Sequence, residues 1–426
     1  MPAVVRKITP LAAPTDAVVP IPGSKSLTNR ALIIASLAQG ATRLSNALFS
    51  DDTVVMVDSL RRLGFAVDVD SDALRMVVHG LGGRIPAAAA DLFVGNAGTA
   101  ARFLTAMVAL GRGRYRLDGS ARMRERPIQD LLDAMAALGA TASSTGGSPP
   151  VVVNARGLRG GRATVRGEIS SQFVSAILMA APYASDDVDL SVDGRLVGAP
   201  YVGMTVAVMR EFGARIEYED LHRFHIPGGQ HYRARDYAVE PDASSAAYFF
   251  AAAAITGGRV RVLGLSATSL QGDAGIVDLF ERMGCTVERA GAYLEVRGGK
   301  TLQGLDVDLS ALSDQTMTLA AVAPFASGPT RIRGVAHIRH QESDRLAATA
   351  AELRRLGQDV EEFEDGLKIM PRPVKPAVIE TYGDHRIAMA FAITGLRAPG
   401  VGIADPGCVA KTFPDFFERL ESLSGQ

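Results

Sequence analysis

Apolar positions along the chain follow a helical period in two alternating patterns, each recurring about every 70 residues. The first pattern has one apolar face and ends each time at a glycine, after which an alternating, strand-like stretch begins. Glycine just past the last turn is a common helix stop, because it accepts the left-handed backbone conformation. The pattern therefore predicts half-exposed helices that end at these glycines: Gly64, Gly139, Gly213, Gly284 and Gly357.

The second pattern lies between the first and is apolar on nearly every side, which predicts helices that are buried all round. Turns and short strands follow these helices, as in residues 258–262. Together the two patterns predict an α/β chain of six units, each with a buried helix, a half-exposed helix and short strands. The predicted buried helices are residues 31–38, 100–110, 173–181, 246–255, 317–325 and 387–396.

Six units suggest two domains of three, and a length of 426 residues also favours two or three domains. Prolines predict bends in the chain near residues 20–22 and 239–241. We therefore expect a domain of residues 22–240, inserted into a discontinuous domain of residues 1–21 and 241–426. The N-terminal strand would then join the C-terminal half of the chain.

Composition narrows the class of protein. Hydrophobic residues make up 47%, and 45 basic residues nearly cancel 46 acidic ones, whereas nucleic-acid binders usually show a basic excess. Apolar runs are too short to span a bilayer, and the N-terminus lacks the apolar core of a signal peptide. Cys285 and Cys408 form no disulfide framework and match no metal-ligand spacing. We expect a cytoplasmic monomer with reduced thiols and with no nucleic-acid or membrane partner.

Polar residues precede each predicted buried helix, and several of these clusters contain long cations. Serine, threonine and aspartate are ordinary helix caps, and we expect capping for Asp242, Ser244 and Ser245. Cations such as Lys25 and Arg386 oppose the helix dipole instead. Because helix N-termini bind anions, these repeated cations predict a cleft for a small substrate with several negative charges. The clusters are residues 24–30, 96–102, 170–172, 242–245, 313–316 and 383–386.

These clusters resemble the motifs of the 5-enolpyruvylshikimate-3-phosphate synthase family. The resemblance implies a two-domain inside-out α/β barrel of six βαβαββ repeats, three per domain. It also implies transfer of the enolpyruvyl group of phosphoenolpyruvate to the 5-hydroxyl of shikimate 3-phosphate, in the shikimate pathway to chorismate and aromatic amino acids. No cofactor or metal is expected. The matching stretches occur in order at residues 22–31, 96–102, 125–128, 170–173, 200–201, 342–345, 383–386 and 411–415.

The resemblance also implies substrate contacts. Arginine forks suit carboxylate and phosphate oxygens, and serine hydroxyls suit a phosphate. Glycine at position 98 goes with sensitivity to the herbicide glyphosate in the family, so we expect sensitivity here. The contacts implied for shikimate 3-phosphate are Lys25, Ser26, Arg30, Ser170, Ser171, Gln172, Tyr201 and Asp314. Those implied for phosphoenolpyruvate are Lys25, Asn96, Gly98, Arg126, Gln172, Arg345, Arg386 and Lys411.

Two positions depart from the family pattern. Gln341 stands where lysine is common, and His337 stands where asparagine is common. Both positions usually contact shikimate 3-phosphate, and glutamine can donate a hydrogen bond but carries no charge. We keep His337 and Gln341 as expected contacts and expect binding of that substrate to be tuned differently, with His337 or His340 compensating for the lost charge.

The reaction needs an acid, a base and fixed cations around the departing phosphate. By resemblance, Asp314 accepts the proton of the 5-hydroxyl, and Glu342 protonates the methylene carbon, with Lys25 as the alternative carbon acid. From the residues alone, Asp314 is more simply a helix cap and Glu342 the third residue of a helix. His385 is a lone histidine and a poor metal site, and we expect it to orient the phosphate site or cap the helix.

Three alternatives remain. The sibling family that transfers enolpyruvyl to UDP-N-acetylglucosamine carries a reactive cysteine, or an aspartate, in the loop that corresponds to residues 111–127. This chain has no cysteine there, although Asp118 leaves that alternative open. An RNA 3′-phosphate cyclase has related repeats, but the neutral charge disfavours it. The third alternative is a non-catalytic binding protein.

Overall fold

The structure is a computed structural model that describes residues 4–424. These residues form α1 Lys25–Leu37, α2 Asp51–Arg62, α3 Gly98–Val108, α4 Gln129–Ala137, α5 Ser171–Ala180, α6 Ala199–Glu211, α7 Ala243–Thr256, α8 Ile276–Arg282, α9 Thr316–Val322, α10 Arg345–Arg355, α11 His385–Gly395 and α12 Phe416–Ser422. They also form 3₁₀ helices at Met123–Glu125, Ala181–Tyr183, Gly272–Gly275, Ser313–Gln315, Ala323–Phe325, Ala336–His340 and Pro406–Lys411. None of the α-helices within residues 4–424 is both long enough and apolar enough to cross a membrane.

The helices alternate in burial, as the two sequence patterns predict. Helices α1, α3, α5, α7, α9 and α11 are buried along nearly their whole length. The glycines that follow α2, α4, α6, α8 and α10 have φ angles between 83° and 100°. A side chain would be strained in that conformation, so glycine ends each of these helices. Both predictions are therefore confirmed.

The chain divides into two compact units. The inserted unit is Gly23–Val239, and the terminal unit runs from the start of the described chain to Pro22 and resumes at Glu240. The inserted unit has three four-stranded sheets. In spatial order their strands are Asp236–Ala238, Gln39–Ser45, Arg75–Leu81 and Ala66–Asp70; then Ala89–Phe93, Arg112–Asp118, Ser148–Arg156 and Ala142–Thr145; then Gly161–Arg166, Val188–Asp193, Arg223–Ile226 and Glu217–Glu219.

The terminal unit has two sheets of four strands and one of three. Each four-stranded sheet in either unit begins with a parallel pair, and its remaining strands are antiparallel. The terminal sheets are Asp16–Val18, Arg259–Leu263, Tyr293–Arg297 and Thr286–Arg289; then Asp306–Asp308, Thr330–Arg333, Gly366–Met370 and Asp359–Phe363; then Val5–Lys7, Val401–Ala404 and Ala377–Ile379.

Strands from distant parts of the chain complete three of the sheets. In the inserted unit, Asp236–Ala238 pairs in parallel with Gln39–Ser45. In the terminal unit, Asp16–Val18 pairs in parallel with Arg259–Leu263. The first described strand, Val5–Lys7, pairs antiparallel with the strand that ends at Ala404. The described N-terminal strands therefore belong to the terminal unit.

Within each unit the buried helices form the interior, and the sheets pack on the core with one face. Strand Val188–Asp193, for example, alternates buried and exposed residues, as expected for a sheet with one face on a core. Helices α7, α9 and α11 contact one another in the terminal unit, and α3 contacts both α1 and α5 in the inserted unit. The element order is that of βαβαββ repeats, so the predicted α/β fold class is confirmed.

Candidate active site

Arg345 lies at the centre of a charged cluster in the terminal unit and is only 1% exposed. Its Nε donates to Oδ2 of Asp384 at 2.8 Å, and its Nη1 donates to Oδ1 of Asp314 at 3.1 Å. Its Nη2 lies 3.0 Å from Oε2 of Glu342. Burial acts to lower the pKa of Arg345, but these carboxylates more than offset it and hold the pKa above its usual range. Arg345 therefore fixes three carboxylates relative to one another.

Asp314 has a second arginine partner. Its Oδ2 accepts a 2.7 Å hydrogen bond from Nη2 of Arg386, at the start of α11. The Asp314 side chain is 18% exposed, more than those of its partners Arg345 and Arg386, at 2% and 7%. Asp314 lies within the 3₁₀ helix Ser313–Gln315, and the residue at the cap position of α9 is Gln315. The interpretation of Asp314 as a helix cap is therefore wrong.

Glu342 lies two residues before the true cap of α10, which is Asp344. The Asp344 side chain accepts from the N–H of Ala347 at 3.0 Å. The interpretation of Glu342 as the third residue of a helix is therefore wrong. Its carboxylate is 8% exposed and lies between Nη2 of Arg345 at 3.0 Å and Nζ of Lys411 at 4.0 Å. The cluster thus joins two carboxylates, of which Asp314 is the more exposed, to three cations.

Asp384 is a residue to which sequence reasoning gave no chemical role. It is fully buried, and it accepts from Oγ of Ser343 at 3.0 Å and from the N–H of Arg386 at 2.9 Å, in addition to Arg345. Asp384 thereby caps α11, so capping by His385 is wrong. Its place directly before a buried helix predicts a cap, but the ion pair to Arg345 depends on tertiary packing.

Tyr248 is a second residue that sequence reasoning missed. It is 1% exposed on α7, and its ring meets that of Phe416 edge-on at 5.9 Å. Burial raises the pKa of Tyr248 to about 12, although the positive charge of Arg386 acts in the opposite direction. A protonated phenol therefore lies near Arg386. The apolar run around Tyr248 gives no sequence signal of this contact.

The two positions that depart from the family pattern differ in their surroundings. Oε1 of Gln341 accepts a hydrogen bond from Nη1 of Arg345. A lysine there would place a second cation against Arg345, whereas the amide oxygen is a suitable acceptor. His337 lies half-buried in the 3₁₀ helix Ala336–His340. Across residues 4–424 no group of three or more His, Cys, Asp or Glu residues is arranged to hold a metal ion.

Gly98 brings several expected phosphoenolpyruvate contacts together in the inserted unit. A Cβ atom at Gly98 would lie 2.7 Å from Nη2 of Arg126 and 3.1 Å from Oε1 of Gln172. Nη1 of Arg126 donates to the carbonyl and the side-chain oxygens of Asn96 at 3.1 and 3.2 Å. We call Asn96, Gly98, Arg126 and Gln172 the Arg126 group. Its close packing leaves no room for a side chain at position 98.

Helix α1 begins six residues earlier than predicted, at Lys25, with Ser24 as its cap. Lys25 and Ser26 therefore lie in the first turn rather than before the helix. Nζ of Lys25 is 3.4 Å from Oδ2 of Asp52, and the two side chains are 14% and 4% exposed. Asp52, at the start of α2, is a partner that sequence reasoning did not identify, because only the packing of α1 on α2 reveals it.

Arg30 lies in the second turn of α1 and is 1% exposed. Its guanidinium donates to Oγ1 of Thr205 at 2.7 Å and to the carbonyls of Ser26 and Tyr201, each at 3.0 Å. Burial lowers the pKa of Arg30 to about 10. With a further bond to Oγ of Ser175, they leave one N–H of Nη1 without a partner among residues 4–424, since a guanidinium has five donors. They also hold Ser26 and Tyr201, two other expected contacts of shikimate 3-phosphate.

The start of α5 supplies hydroxyl groups near Tyr201. Oγ of Ser170 accepts from the N–H of Gln172 at 3.2 Å, so Ser170 caps the helix. A Cβ atom at Gly198 would lie 3.0 Å from Oγ of Ser171 and 3.2 Å from Cδ2 of Tyr201, which places these two residues side by side. The structure therefore brings together Ser170, Ser171, Gln172 and Tyr201.

Asp118, which left the UDP-sugar alternative open, is held in a network of hydrogen bonds. Its oxygens accept from Arg124 at 2.9 and 2.8 Å, from the N–H of Gly119 at 2.8 Å and from Arg116 at 2.7 Å. The bond from Arg124 is the largest cause that lowers the pKa of Asp118 to about 2. Such a carboxylate is a fixed ion-pair partner and a poor proton donor near neutral pH.

The family model for EPSP synthase (3-phosphoshikimate 1-carboxyvinyltransferase) matches residues 11–420. This chain belongs to the EPSP synthase family. A relative named 3-phosphoshikimate 1-carboxyvinyltransferase from Trichormus variabilis is 52% identical over 98% of this chain and 99% of its own length. A relative of the same name from Aeromonas salmonicida is 47% identical over 95% of each chain.

Solved structures agree with this membership. An EPSP synthase from Acinetobacter baumannii superposes with a TM-score of 0.82 at 27% identity, covering 98% of each chain. The sequence-based prediction of the family is therefore confirmed. In this member of the EPSP synthase family, the expected site residues form groups in both units. They lie in the first two turns of α-helices, in 3₁₀ helices or in the loops beside them.

Proposed function

We propose that this chain transfers the enolpyruvyl group of phosphoenolpyruvate to the 5-hydroxyl of shikimate 3-phosphate and releases phosphate. The observation that carries the proposal is the cluster in which Asp314 and Glu342 both bind Arg345, with Arg386 and Lys411 beside them. Two carboxylates suit proton transfer, and three cations suit a phosphorylated carboxylic acid. Membership of the EPSP synthase family supports the same reaction.

The chemistry requires two proton transfers at carbon and one at oxygen. Protonation of the methylene carbon of phosphoenolpyruvate makes the neighbouring carbon electrophilic, and the 5-hydroxyl attacks it while losing its proton. The carbon–oxygen bond to phosphate then breaks, and phosphate leaves with the electron pair. Loss of a proton from the methyl group restores the double bond. Fixed cations around the phosphate stabilise the charge that develops as it leaves.

We propose that Asp314 accepts the hydroxyl proton and that Glu342 protonates the carbon, with Lys25 as the alternative carbon acid. Asp314 is the more exposed member of its ion pairs, which supports contact with a substrate hydroxyl. Glu342 lies between Arg345 and Lys411, two expected contacts of phosphoenolpyruvate. These positions place both carboxylates beside the residues that would hold that substrate.

The expected binding residues can likewise be assigned to one substrate or to both. We propose that phosphoenolpyruvate binds the Arg126 group together with Lys25, Arg345, Arg386 and Lys411. Shikimate 3-phosphate binds Lys25, Arg30, Gln172, Asp314 and the hydroxyl-rich set Ser26, Ser170, Ser171 and Tyr201. Arg30 also donates to the carbonyls of Ser26 and Tyr201. Gln341, through its bond to Arg345, and His337 complete the proposed shikimate 3-phosphate contacts.

One parallel assay tests the reaction. Purified protein is incubated with phosphoenolpyruvate and either shikimate 3-phosphate or UDP-N-acetylglucosamine, and phosphate release is followed. A third reaction contains ATP and RNA with a 3′-phosphate, and protection of that phosphate from phosphatase is measured. We expect one phosphate to be released per phosphoenolpyruvate consumed in the reaction with shikimate 3-phosphate, and no turnover in the other two reactions. Turnover only with the UDP-sugar or the RNA would contradict the proposal, as would no turnover in any arm.

Solvent deuterium distinguishes the two candidate carbon acids. During turnover in D₂O, the methylene carbon gains deuterium through the methyl intermediate. If Glu342 is the acid, Glu342→Gln slows deuterium uptake and phosphate release together by about 100-fold or more. Lys25→Met then mainly raises the KM for phosphoenolpyruvate and leaves uptake at saturation nearly normal. The reverse pattern assigns the acid to Lys25.

The remaining expectations concern the setting of the reaction. The thiols of Cys285 and Cys408 are unpaired, which supports a reducing compartment such as the cytoplasm. We propose that the protein acts there as a monomer on two small-molecule substrates, without a cofactor or metal. Sedimentation of the purified chain measures the oligomeric state, and activity after treatment with a chelator tests the metal requirement.

A further inference from the structure

Helix α10 holds the loop before α11 at two points. Its first residue, Arg345, binds Asp384 at 2.8 Å. Seven residues later, on the same face of the helix, Glu352 is fully buried. Oε2 of Glu352 accepts from the N–H of Glu380 at 3.0 Å, and its Oε1 accepts from the hydroxyl of Tyr382 at 2.8 Å. The first contact lies in the charged cluster described above, but the second has no part in the proposed chemistry.

The segment held in this way is a tight turn with an unfavourable backbone. The N–H of Asp384 donates to the carbonyl of Thr381 at 2.8 Å, which closes a turn of four residues. Its two central residues, Tyr382 and Gly383, have φ angles of 55° and 64°. Glycine adopts this left-handed conformation freely, but an aromatic residue does so at a cost. The bond from Tyr382 to a buried carboxylate offsets that cost.

The ion pair to Arg355 completes the surroundings of Glu352. Nε of Arg355 lies 2.9 Å from Oε2, and its side chain is 47% exposed. Burial and the bond to Glu352 raise the pKa of Tyr382 to about 12, so its hydroxyl remains a donor at neutral pH. Three donors therefore meet one buried carboxylate, and two of them belong to the loop.

We propose that Glu352 and Tyr382 are positioning residues for phosphoenolpyruvate, because they hold the turn 381–384 that places Asp384 and Arg386. This inference rests on the proposed function. Asp384 orients Arg345 and caps the helix from which Arg386 projects, so a shift of the turn moves both guanidinium groups. Small displacements of groups that bind a substrate reduce binding strongly, since the geometry must be fixed before the substrate arrives.

Steady-state kinetics of Tyr382→Phe and Glu352→Gln test the proposal. Tyr382 is 47% exposed, so Tyr382→Phe should fold normally, whereas Glu352→Gln changes a buried group. We expect the KM for phosphoenolpyruvate to rise about tenfold in Tyr382→Phe, and more in Glu352→Gln, as for loss of hydrogen bonds to a charged group. The KM for shikimate 3-phosphate should change less than twofold. A purely structural role would lower the active fraction and leave both KM values unchanged.

Glu295→Gln is the matched control. Glu295 is also fully buried in the terminal unit and binds Arg259, Arg261 and Arg297 on a sheet. Its substitution should lower the unfolding temperature without changing the ratio of the two KM values. An equal rise in the KM for phosphoenolpyruvate in this control would overturn the positioning role, because it would show a general effect of instability.

Amide hydrogen exchange gives a readout that does not depend on turnover. In Tyr382→Phe, the amides of Glu380, Asp384 and Arg386 should exchange at least several-fold faster, while those of α7 stay unchanged. Unchanged exchange at these amides would overturn the inference even in an active enzyme. Faster exchange with an unchanged KM for phosphoenolpyruvate would show that Tyr382 holds the turn but would overturn its positioning role for the substrate. Absence of turnover in the unmodified protein would instead refute the proposed function, and exchange would still decide whether the turn is held.

Discussion

Arg386 donates a 2.7 Å hydrogen bond to Asp314, a residue 72 positions earlier in the chain. Arg345 binds the other carboxylate oxygen of Asp314 at 3.1 Å. Both arginines are expected contacts of phosphoenolpyruvate, so the substrate and Asp314 compete for the same guanidinium groups. We expect bound phosphoenolpyruvate to draw Arg386 towards its own oxygens. Asp314 would then be released to accept the hydroxyl proton when the second substrate is in place.

Asp314→Ala should abolish turnover while the fold remains intact. Removal of a positioned general base slows turnover by about 10²- to 10⁴-fold. Arg345 keeps Glu342 and Asp384 as partners, so the fold should remain. The unfolding temperature should nevertheless fall, because two largely buried arginines lose a carboxylate. Phosphate release at saturating substrates measures the first effect, and circular dichroism on heating measures the second.

Asp306→Ala is the control for this variant. Asp306 forms an exposed ion pair with Arg333 at 2.8 Å in the same unit, where its side chain is 60% exposed. Surface pairs of this kind contribute little, so turnover should stay normal. Near-normal turnover of Asp314→Ala would remove its role as the base.

Gly98→Ala should weaken the binding of phosphoenolpyruvate. The new methyl group would lie 2.7 Å from Nη2 of Arg126 and 3.1 Å from Oε1 of Gln172, closer than side-chain atoms normally approach. The guanidinium of Arg126 must therefore move, and we expect the KM for phosphoenolpyruvate to rise about tenfold. The KM for shikimate 3-phosphate should change much less.

Gly203→Ala provides a matched comparison on helix α6. A Cβ atom there meets only Cδ1 of Leu221, at 3.9 Å, which is ordinary contact. Alanine is also the better helix former, so this variant should be at least as stable as the unmodified protein. If Gly98→Ala shows the same KM for phosphoenolpyruvate as Gly203→Ala, the close packing of the Arg126 group has no effect on that substrate.

Glyphosate should inhibit the protein by competing with phosphoenolpyruvate. Its phosphonate and carboxylate groups match the two anionic groups of that substrate, and Gly98 places no side chain against Arg126. Increasing phosphoenolpyruvate should therefore relieve the inhibition, whereas increasing shikimate 3-phosphate should not. Gly98→Ala should raise the inhibition constant along with the KM. Inhibition that is insensitive to phosphoenolpyruvate would remove this prediction.

The helices could be predicted from sequence because their signals are local. Gly64 and Gly357, for instance, follow an apolar stripe directly, and their φ angles of 93° and 83° are those of a helix stop. The start of α1 was predicted too late, because Lys25 and Arg30 are polar and fall outside an apolar run. Arg30 is buried by tertiary partners on α5 and α6, which no local pattern reveals.

The candidate site was predicted less fully, for a related reason. Motifs place Asp314, Glu342 and Arg345 at helix starts, but they do not show that one guanidinium binds both carboxylates. Asp52 and Glu352 were missed because each acts only through a partner that is distant in sequence or on a separate element. Recognition of buried pairs of this kind requires the packing of the helices on one another.

The ion pairs of Asp118 should make the stability of the protein depend on pH in acid. Hydrogen bonds from Arg124, Gly119 and Arg116 lower the pKa of Asp118 from 3.8 to about 2 in the folded state. A carboxylate with a lowered pKa stabilises the fold above its unfolded-state pKa, and this stability is lost as the pH falls through the folded-state value. Asp118→Asn should therefore destabilise the protein at neutral pH, by about 2 kcal/mol.

The unmodified protein and Asp118→Asn should differ less in their free energy of unfolding as the pH falls from about 4 to about 2. Asp118 becomes protonated over this range and loses its charge. Since the chain has no tryptophan, unfolding is best followed by circular dichroism. Asp236→Asn is the control, because the pair between Asp236 and Arg43 is exposed and should contribute little at any pH. A destabilisation of Asp118→Asn that is the same at pH 2 as at pH 7 would show that the lost bonds do not depend on the charge of Asp118.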